Sequence, residues 1–501
     1  MATASVSPRP ASPSRLERVT GGAGALTAIT VLALALRLAT LSGQSFWLDE
    51  SYTVHLVRLG LGPMLRTIPQ TESTPPLYYV LAWAWTHVFG SSEYGLRSLS
   101  ALAGTGTVFV GGRIAGRIGG RGAELIAAGL LAVSPLLLWF SQESRAYALA
   151  ALLAAGSLLC LITYAETNAR RPLAGWAALS ALALCTHYFT VFPILPGALW
   201  LLWSARRRRE VRGALATVTL VALVLVPLAL AQRGTGHADY IARGALGTRI
   251  LQVPKQLLIG YASPAQLVTG ILALLLLLAG AGWSLAAGRR RLVSTPVRLT
   301  LATASTGVLL PIALAVAGID FLNTRNLLPA FAPLVAVAAV GFAGPTARRW
   351  GPWCAAGLIA VFTAVVVLVD THPAYQRPDF RDAVQALGPL SAPRVLLVSP
   401  ANGLLPIQAY APDVGVLSTS ATVTELDVVD VAAQPAPTTP PGPLAGIAAP
   451  AGFARVGSIV RPAYTLVRYR APAPTTVSAV PLAALPVGPN REVAIQTPPQ
   501  R

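Results

Sequence analysis

Charge is the scarcest property of this sequence. Only 11% of its 501 residues are Asp, Glu, Lys or Arg, against roughly 25% in an ordinary soluble domain. Such a chain cannot be meeting water over its whole surface. With 54% hydrophobic residues and a mean hydropathy of +0.60, and uncharged runs such as Leu267–Ala281 and Ala355–Val369, the expected solvent is lipid. Lysine is almost missing: Lys255 stands alone, a mark of base composition without mechanistic weight. Cysteine is rare as well. Cys160, Cys185 and Cys354 lie far apart in apolar stretches, and the lack of CxxC or Cys/His metal spacing argues against a zinc module or a disulfide framework. They read as small core residues.

The formal charge of +19 at first invites a nucleic-acid partner. The distribution argues against one. Arginines cluster in brief loops between apolar spans: Arg113, Arg117 and Arg121; Arg170 and Arg171; Arg206 to Arg209; Arg289 to Arg291; Arg348 and Arg349. That is a topology signal. The fold class expected is an all-α polytopic membrane protein followed by a small extracytoplasmic α/β domain. About eleven spans near bilayer length are read over 23–41, 98–112, 123–140, 146–164, 173–186, 188–204, 213–231, 265–287, 299–317, 328–344 and 353–370. The first follows a polar, basic tail (1–22) and reads as an uncleaved anchor. With the N-terminus in the cytoplasm, every arginine cluster falls inside, as the positive-inside rule requires. The expected location is the plasma (inner) membrane.

That orientation sends three pieces outward: a first loop over 42–97, a second over 232–264, and everything after Thr371. In the first loop, SFWLDESYTVHLVRLG predicts an amphipathic helix from Leu48, and Thr74-Pro75-Pro76 opens a second, aromatic-rich interfacial helix. In the tail, PDFRDAVQAL predicts a helix and RVLLVS and YTLVRYR predict strands, within an α/β domain over 371–470. The Pro/Ala-rich section 433–450 predicts a loop, and the Pro-rich end, 471–501, predicts disorder.

Four outward positions carry residues that suit chemistry, each with a plainer alternative. Asp49 and Glu50 open the first-loop helix, where acids either complement the helix dipole or supply a general base. Glu143, Arg145 and Tyr147 occupy the turn WFSQESRAYAL, as an interfacial ion pair or part of a shared site. His187 and Tyr188 sit at another helix end, as core groups or ligand contacts; no partner ligands stand at metal-binding spacing. Asp320, Asn323 and Arg325 begin the tenth span, where a guanidinium either anchors the helix or forks onto a phosphate.

Taken in order, FWLDES, TPPLYY with EYGLRSLSAL, SQESRAYAL, THYF and TRNLLPAF resemble the membrane-embedded C-type (GT-C) glycosyltransferases, the bacterial relatives of protein O-mannosyltransferases and aminoarabinose transferases. The resemblance runs from about Ala23 to Phe342. It implies a polyprenyl-phosphate sugar donor, often mannose, and inverting transfer to an envelope acceptor (lipid, polysaccharide or protein) at the outer face. Asp49, with Glu50, then falls on the acidic catalytic motif, and Glu143, Arg145, Tyr147, His187, Tyr188 and Arg325 fall on donor- and acceptor-binding positions. Asn326 departs from the aromatic residue common there. The resemblance fixes no cofactor and leaves room for a divalent metal ion. Two other classes compete: a transporter or flippase of lipid-linked sugars, and a non-catalytic envelope assembly protein. Against the first stand the lack of repeated halves and of mid-span charge, save Arg37, which is expected to snorkel outward.

Overall fold

The computed structural model describes residues 15–287, 294–345, 347, 349–431, 449–488 and 490–498. Most of the N-terminal tail and nearly all of the expected 433–450 loop lie outside the described residues.

Helices occupy all eleven segments read as spans. Helix α1 (Arg15–Ala39) leads into the first loop, which holds α2 (Leu48–Arg58), α3 (Leu61–Thr71) and α4 (Leu77–Phe89). The bundle continues with α5 (Glu93–Gly119), α6 (Arg121–Ala132), α7 (Pro135–Ser141), α8 (Tyr147–Thr167), α9 (Arg170–Thr186), α10 (Val191–Ala205) and α11 (Arg209–Gly234). Two shorter helices follow, α12 (Tyr240–Arg243) and α13 (Leu246–Ile259). The bundle closes with α14 (Gln266–Ala287), α15 (Thr295–Val316), α16 (Phe331–Phe342) and α17 (Gly351–Thr371). Among the described residues six helical segments are long and apolar enough to cross a membrane, starting at Tyr147, Tyr188, Arg209, Thr295, Thr324 and Gly351. A seventh is added if α6 and α7, bent by 57°, count as one broken span.

That break has a definite cause. Ser134 caps α7 by accepting the Leu137 amide at 3.3 Å, and Pro135 opens the helix, where its missing N–H costs nothing. The α6 carbonyls left over at the bend, Leu131 and Ala132, accept from the Arg37 guanidinium at 3.2 and 3.1 Å, while its Nε donates to Ser141 Oγ at 3.1 Å. Arg37 is fully buried. It does not snorkel outward; it pins the bend, because carbonyls buried without donors are costly. Helix α5 passes close by at Gly104, where a Cβ would overlap Ser141 Oγ.

After α17 the chain forms α18 (Phe380–Ala386) and a mixed sheet of β1 (Arg394–Ser399), β2 (Val414–Val416), β3 (Ser420–Val431), β4 (Ala454–Val460), β5 (Tyr464–Ser478) and β6 (Glu492–Gln496), with α19 (Leu404–Tyr410) and α20 (Ala479–Ala483) between strands. The order is β2-β6-β1-β3-β5-β4, and β1 pairs with β3 in parallel. The all-buried strand RVLLVS lies inside, flanked by β6 and β3. The disorder expected from Ala471 onward is thus corrected. Residues Ala471–Ser478 complete β5, and β6 is an interior strand whose Val493 and Ala494 are buried. Proline content concealed it: the alternating pattern EVAIQ is only five residues long.

The domain is stitched to the first loop. Ser45 Oγ donates to Pro378 O and accepts the Phe380 amide, both at 3.0 Å. Arg58 donates to Gln408 O at 3.2 Å and Ala409 O at 2.7 Å. Tyr410 donates to Glu93 Oε1 at 2.7 Å.

Candidate active site

Helix α2 begins at Leu48, as its amphipathic pattern predicts, and its first turn sends two adjacent carboxylates in opposite senses. The Glu50 side chain is wholly buried. It accepts from Arg97 Nε at 2.8 Å and Nη2 at 2.6 Å, and from the Ser144 amide and hydroxyl at 2.9 and 3.0 Å. Burial pushes the Glu50 carboxyl up, but the charge and fork of Arg97, with the Arg377 charge and the Ser144 amide, together outweigh it and the net shift is downward. The other Arg97 donors reach the carbonyls of Leu41, Gln44 and Ser45 at 2.7 to 2.8 Å. Glu50 is therefore a structural anchor that folds the α1–α2 connection. With every donor around it spent, it is not placed to act on a substrate.

Asp49 faces the other way. Its side chain keeps 21% exposure and pairs with Arg325 Nη1, although 276 residues separate the two. Arg325 heads the 3-10 turn Thr324–Ala330 that feeds α16. Asn323 caps that turn, accepting the Arg325 amide at 3.3 Å, and the same amide reaches Tyr261 Oη at 3.2 Å. The guanidinium lies 5.5 Å from the Tyr147 ring and 5.9 Å from the Tyr240 ring, and Nη2 bonds Tyr240 Oη. Its buried Nε has no protein partner. This is an arginine held near two aromatic rings with a donor to spare.

The turn after α7 supplies three further groups. Arg145 is neutralised by Glu72, with contacts of 3.1 and 2.7 Å, and also donates to the Asp49 carbonyl at 3.2 Å. It holds the first turn of α2 in place and is not free for a phosphate. Glu143 is wholly buried; one oxygen pairs with Arg377 Nη2 at 3.1 Å and Oε1 has no protein partner. Burial raises its carboxyl to about 7, against the pull of Arg377 and with the added charge of Asp49 and Glu50. Tyr147 packs its ring 5.0 Å from Phe140 and 5.4 Å from His187.

His187 caps the 3-10 turn Tyr188–Thr190, its Nδ1 accepting the Phe189 amide at 3.2 Å. That bond leaves the ring proton on Nε2. Burial, with Arg325 and Arg145 nearby, lowers its pKa to about 3, so the ring is a neutral donor at any physiological pH. Tyr188 turns elsewhere, donating to Gln232 Oε1 at 2.7 Å. Asp320 is likewise absent from the cluster, paired with Arg249. Asn326 donates to Phe321 O at 3.0 Å, so the departure from an aromatic residue is absorbed in the turn's own backbone.

Asp49, Glu143, Tyr147, His187 and Arg325 are thus brought together; Glu50 and Arg145 support them from outside, and Tyr188 points away. Sequence reading missed Glu72, Tyr240, Tyr261 and Arg377. The first is an acid in the same loop as Asp49, and the two tyrosines lie between α11 and α14, where Tyr240 beside Asp239 was a usable signal and Tyr261 had none. Among the described residues no group of three or more His, Cys, Asp or Glu stands ready to hold a metal ion.

Beside the cluster a narrow cleft runs between α17, α7 and the end of α13. Its walls are apolar, including Leu138, Ile259, Val365 and Val369, and Gln142, Asp370 and the rings of Trp139 and Tyr261 also line it.

The fold is ArnT-like, of the GT-C type that the ordered motifs led us to expect. Residues 73–230 match the family described as dolichyl-phosphate-mannose-protein mannosyltransferase. The crystal structure of ArnT from Cupriavidus metallidurans bound to undecaprenyl phosphate superposes with a TM-score of 0.56 at 13% identity, over 89% of this chain and 98% of that one. Its apo state gives 0.55 at 14% identity over the same shares. No curated protein matches the chain in sequence.

Proposed function

We propose that this chain transfers a sugar, mannose or another hexose or pentose, from a polyprenyl-phosphate donor to a hydroxyl of an envelope acceptor. The reading sets the arginine clusters in the cytoplasm, and the Asp49–Arg325 site and C-terminal domain on the outer face of the plasma membrane. The observation that carries it is the pairing of Asp49 with Arg325 in an aromatic cage at one end of the bundle. A carboxylate and a guanidinium fork are the two groups that displacement at a sugar phosphate needs. The family that matches residues 73–230, and the undecaprenyl phosphate bound by the ArnT structure, support the donor class.

The chemistry follows from the geometry. The donor's lipid chain stays in the bilayer alongside the apolar cleft at Trp139 and Tyr261, which brings its phosphate to the membrane surface. Arg325 holds that phosphate with its spare Nε–H and an Nη, since the planar fork matches two phosphate oxygens. Phosphate competes with Asp49 for the same guanidinium, so donor binding frees the carboxylate. Asp49 then takes the proton of the acceptor hydroxyl as the acceptor oxygen bonds to the anomeric carbon. The bond from that carbon to the phosphate oxygen breaks, its electron pair leaves with the polyprenyl phosphate, and Arg325 stabilises the charge gained there. One displacement inverts the anomeric centre. His187 Nε2–H and Glu143 orient the sugar hydroxyls.

Mass spectrometry of envelope glycans and lipids from cells with and without the gene tests this directly. The reading expects one acceptor to lose a single hexose or pentose mass when the gene is removed. Unchanged glycans with lipid-linked sugar trapped on the cytoplasmic leaflet would overturn it.

A further inference from the structure

Arg377 lies on the segment that joins α17 to the C-terminal domain, and it reaches back into the site. Its guanidinium stacks 4.1 Å from the Trp139 ring and lies 6.0 Å from that of Trp47. Nη1 donates to Gln142 O at 3.3 Å, and Nη2 to Trp139 O at 3.2 Å and Glu143 Oε2 at 3.1 Å. Its backbone amide is fixed by Gln44 Oε1 at 3.0 Å. The side chain is almost wholly buried, yet its ion pair is incomplete on both sides. Arg377 Nε and Glu143 Oε1 are each buried without a protein partner. A purely structural pair would satisfy both, as Arg97 and Glu50 do, because an unmet buried polar atom costs about 1–3 kcal/mol.

We infer that Arg377 is a positioning residue of the site. Its cation favours the ionised form of Glu143 and fixes the carboxylate toward the cluster, so the segment leading into the C-terminal domain completes the site. The inference rests on the transferase reading for what Glu143 orients. It stands on contacts from three separate parts of the chain: the α7–α8 turn, the start of α2 and the tail. The groups that face Glu143 are Arg377, Asp49 and Glu50 from α2, and Arg325 at the head of α16. The phenols of Tyr78, Tyr240 and Tyr261 feel its charge in turn. Of these, Arg377 alone bonds it. Removing that cation while the two acids remain must drive the carboxyl further toward its neutral form.

The test uses the full-length protein in detergent, with R377Q, R377K and E143Q variants whose folding is checked by melting. The infrared band of protonated carboxyl groups is followed from about pH 5 to 9. We expect a component titrating near 7, lost in E143Q, displaced by about one unit or more to alkaline pH in R377Q, and within about half a unit of wild type in R377K. In parallel, transfer from synthetic polyprenyl-phosphate mannose is followed. Activity should rise as Glu143 ionises, so R377Q moves that limb to higher pH and lowers kcat at neutral pH about fivefold or more, with KM changed less than about threefold. R377K should recover a good part of the rate. An R377Q titration that coincides with wild type overturns the inference. So does an R377K protein as inactive as R377Q, or, should R377Q not fold, one below about a tenth of the wild-type rate. If wild type itself ignores this donor, the choice of sugar fails, while the infrared titration still decides the role of Arg377.

Discussion

Two neighbouring carboxylates in one helical turn do different work because their surroundings differ. Asp49 keeps a fifth of its surface and faces a cation that a phosphate can claim; Glu50 is sealed under a fork and two Ser144 donors. Substitutions should separate them. Glu50→Ala leaves the Arg97 charge buried and unpaired, a loss of about 3–5 kcal/mol, and should lower the melting temperature in detergent sharply or prevent accumulation. Asp49→Asn should melt within a few degrees of wild type. Equal melting of the two would contradict the division. At Arg325, replacement by Lys keeps the charge and loses the planar fork. Native mass spectrometry with undecaprenyl phosphate should show binding weakened by about tenfold, the worth of one charge-assisted hydrogen bond; undiminished retention would remove Arg325 from the phosphate site.

At the scale of elements, the bend between α6 and α7 matters most, because it aims Trp139, Gln142 and Glu143 at the site. Arg37→Met deprives Leu131 and Ala132 of their donor, at about 1–3 kcal/mol for each unmet carbonyl. A lowered melting temperature with reduced activity is the expected result, and unchanged melting would show that water or lipid serves as well. Much of this level was legible in advance. The helix at Leu48 announced itself through amphipathic spacing, and the spans through uncharged length, since both signals are local. The bend was not, because Ser134-Pro135 lies inside a continuous apolar run that hydropathy reads as one span. Arg37 misled for a related reason. An arginine near a helix end usually reaches for water, and only the fold reveals waiting carbonyls 94 residues away. Arg377 left no trace at all, its partner standing 234 residues off in the sequence. The short strand β6 was masked by surrounding prolines.

For the whole molecule, the C-terminal domain is part of the architecture and not an appendage, tied to the first loop through Ser45, Arg58 and Tyr410. Truncation after Arg470 removes an interior strand and bares the edges of β1 and β2; limited proteolysis should then clear the remaining sheet residues while the helical bundle survives. Survival of the sheet would contradict the topology. The central claim is that groups from distant parts of the chain meet at one rim of the bundle to move a sugar off a lipid phosphate. The most direct test is transfer by purified Asp49→Asn protein that is folded and still retains undecaprenyl phosphate. Loss of turnover by about a thousandfold or more, the scale on which a general base contributes, is predicted. Turnover near the wild-type rate would contradict the account.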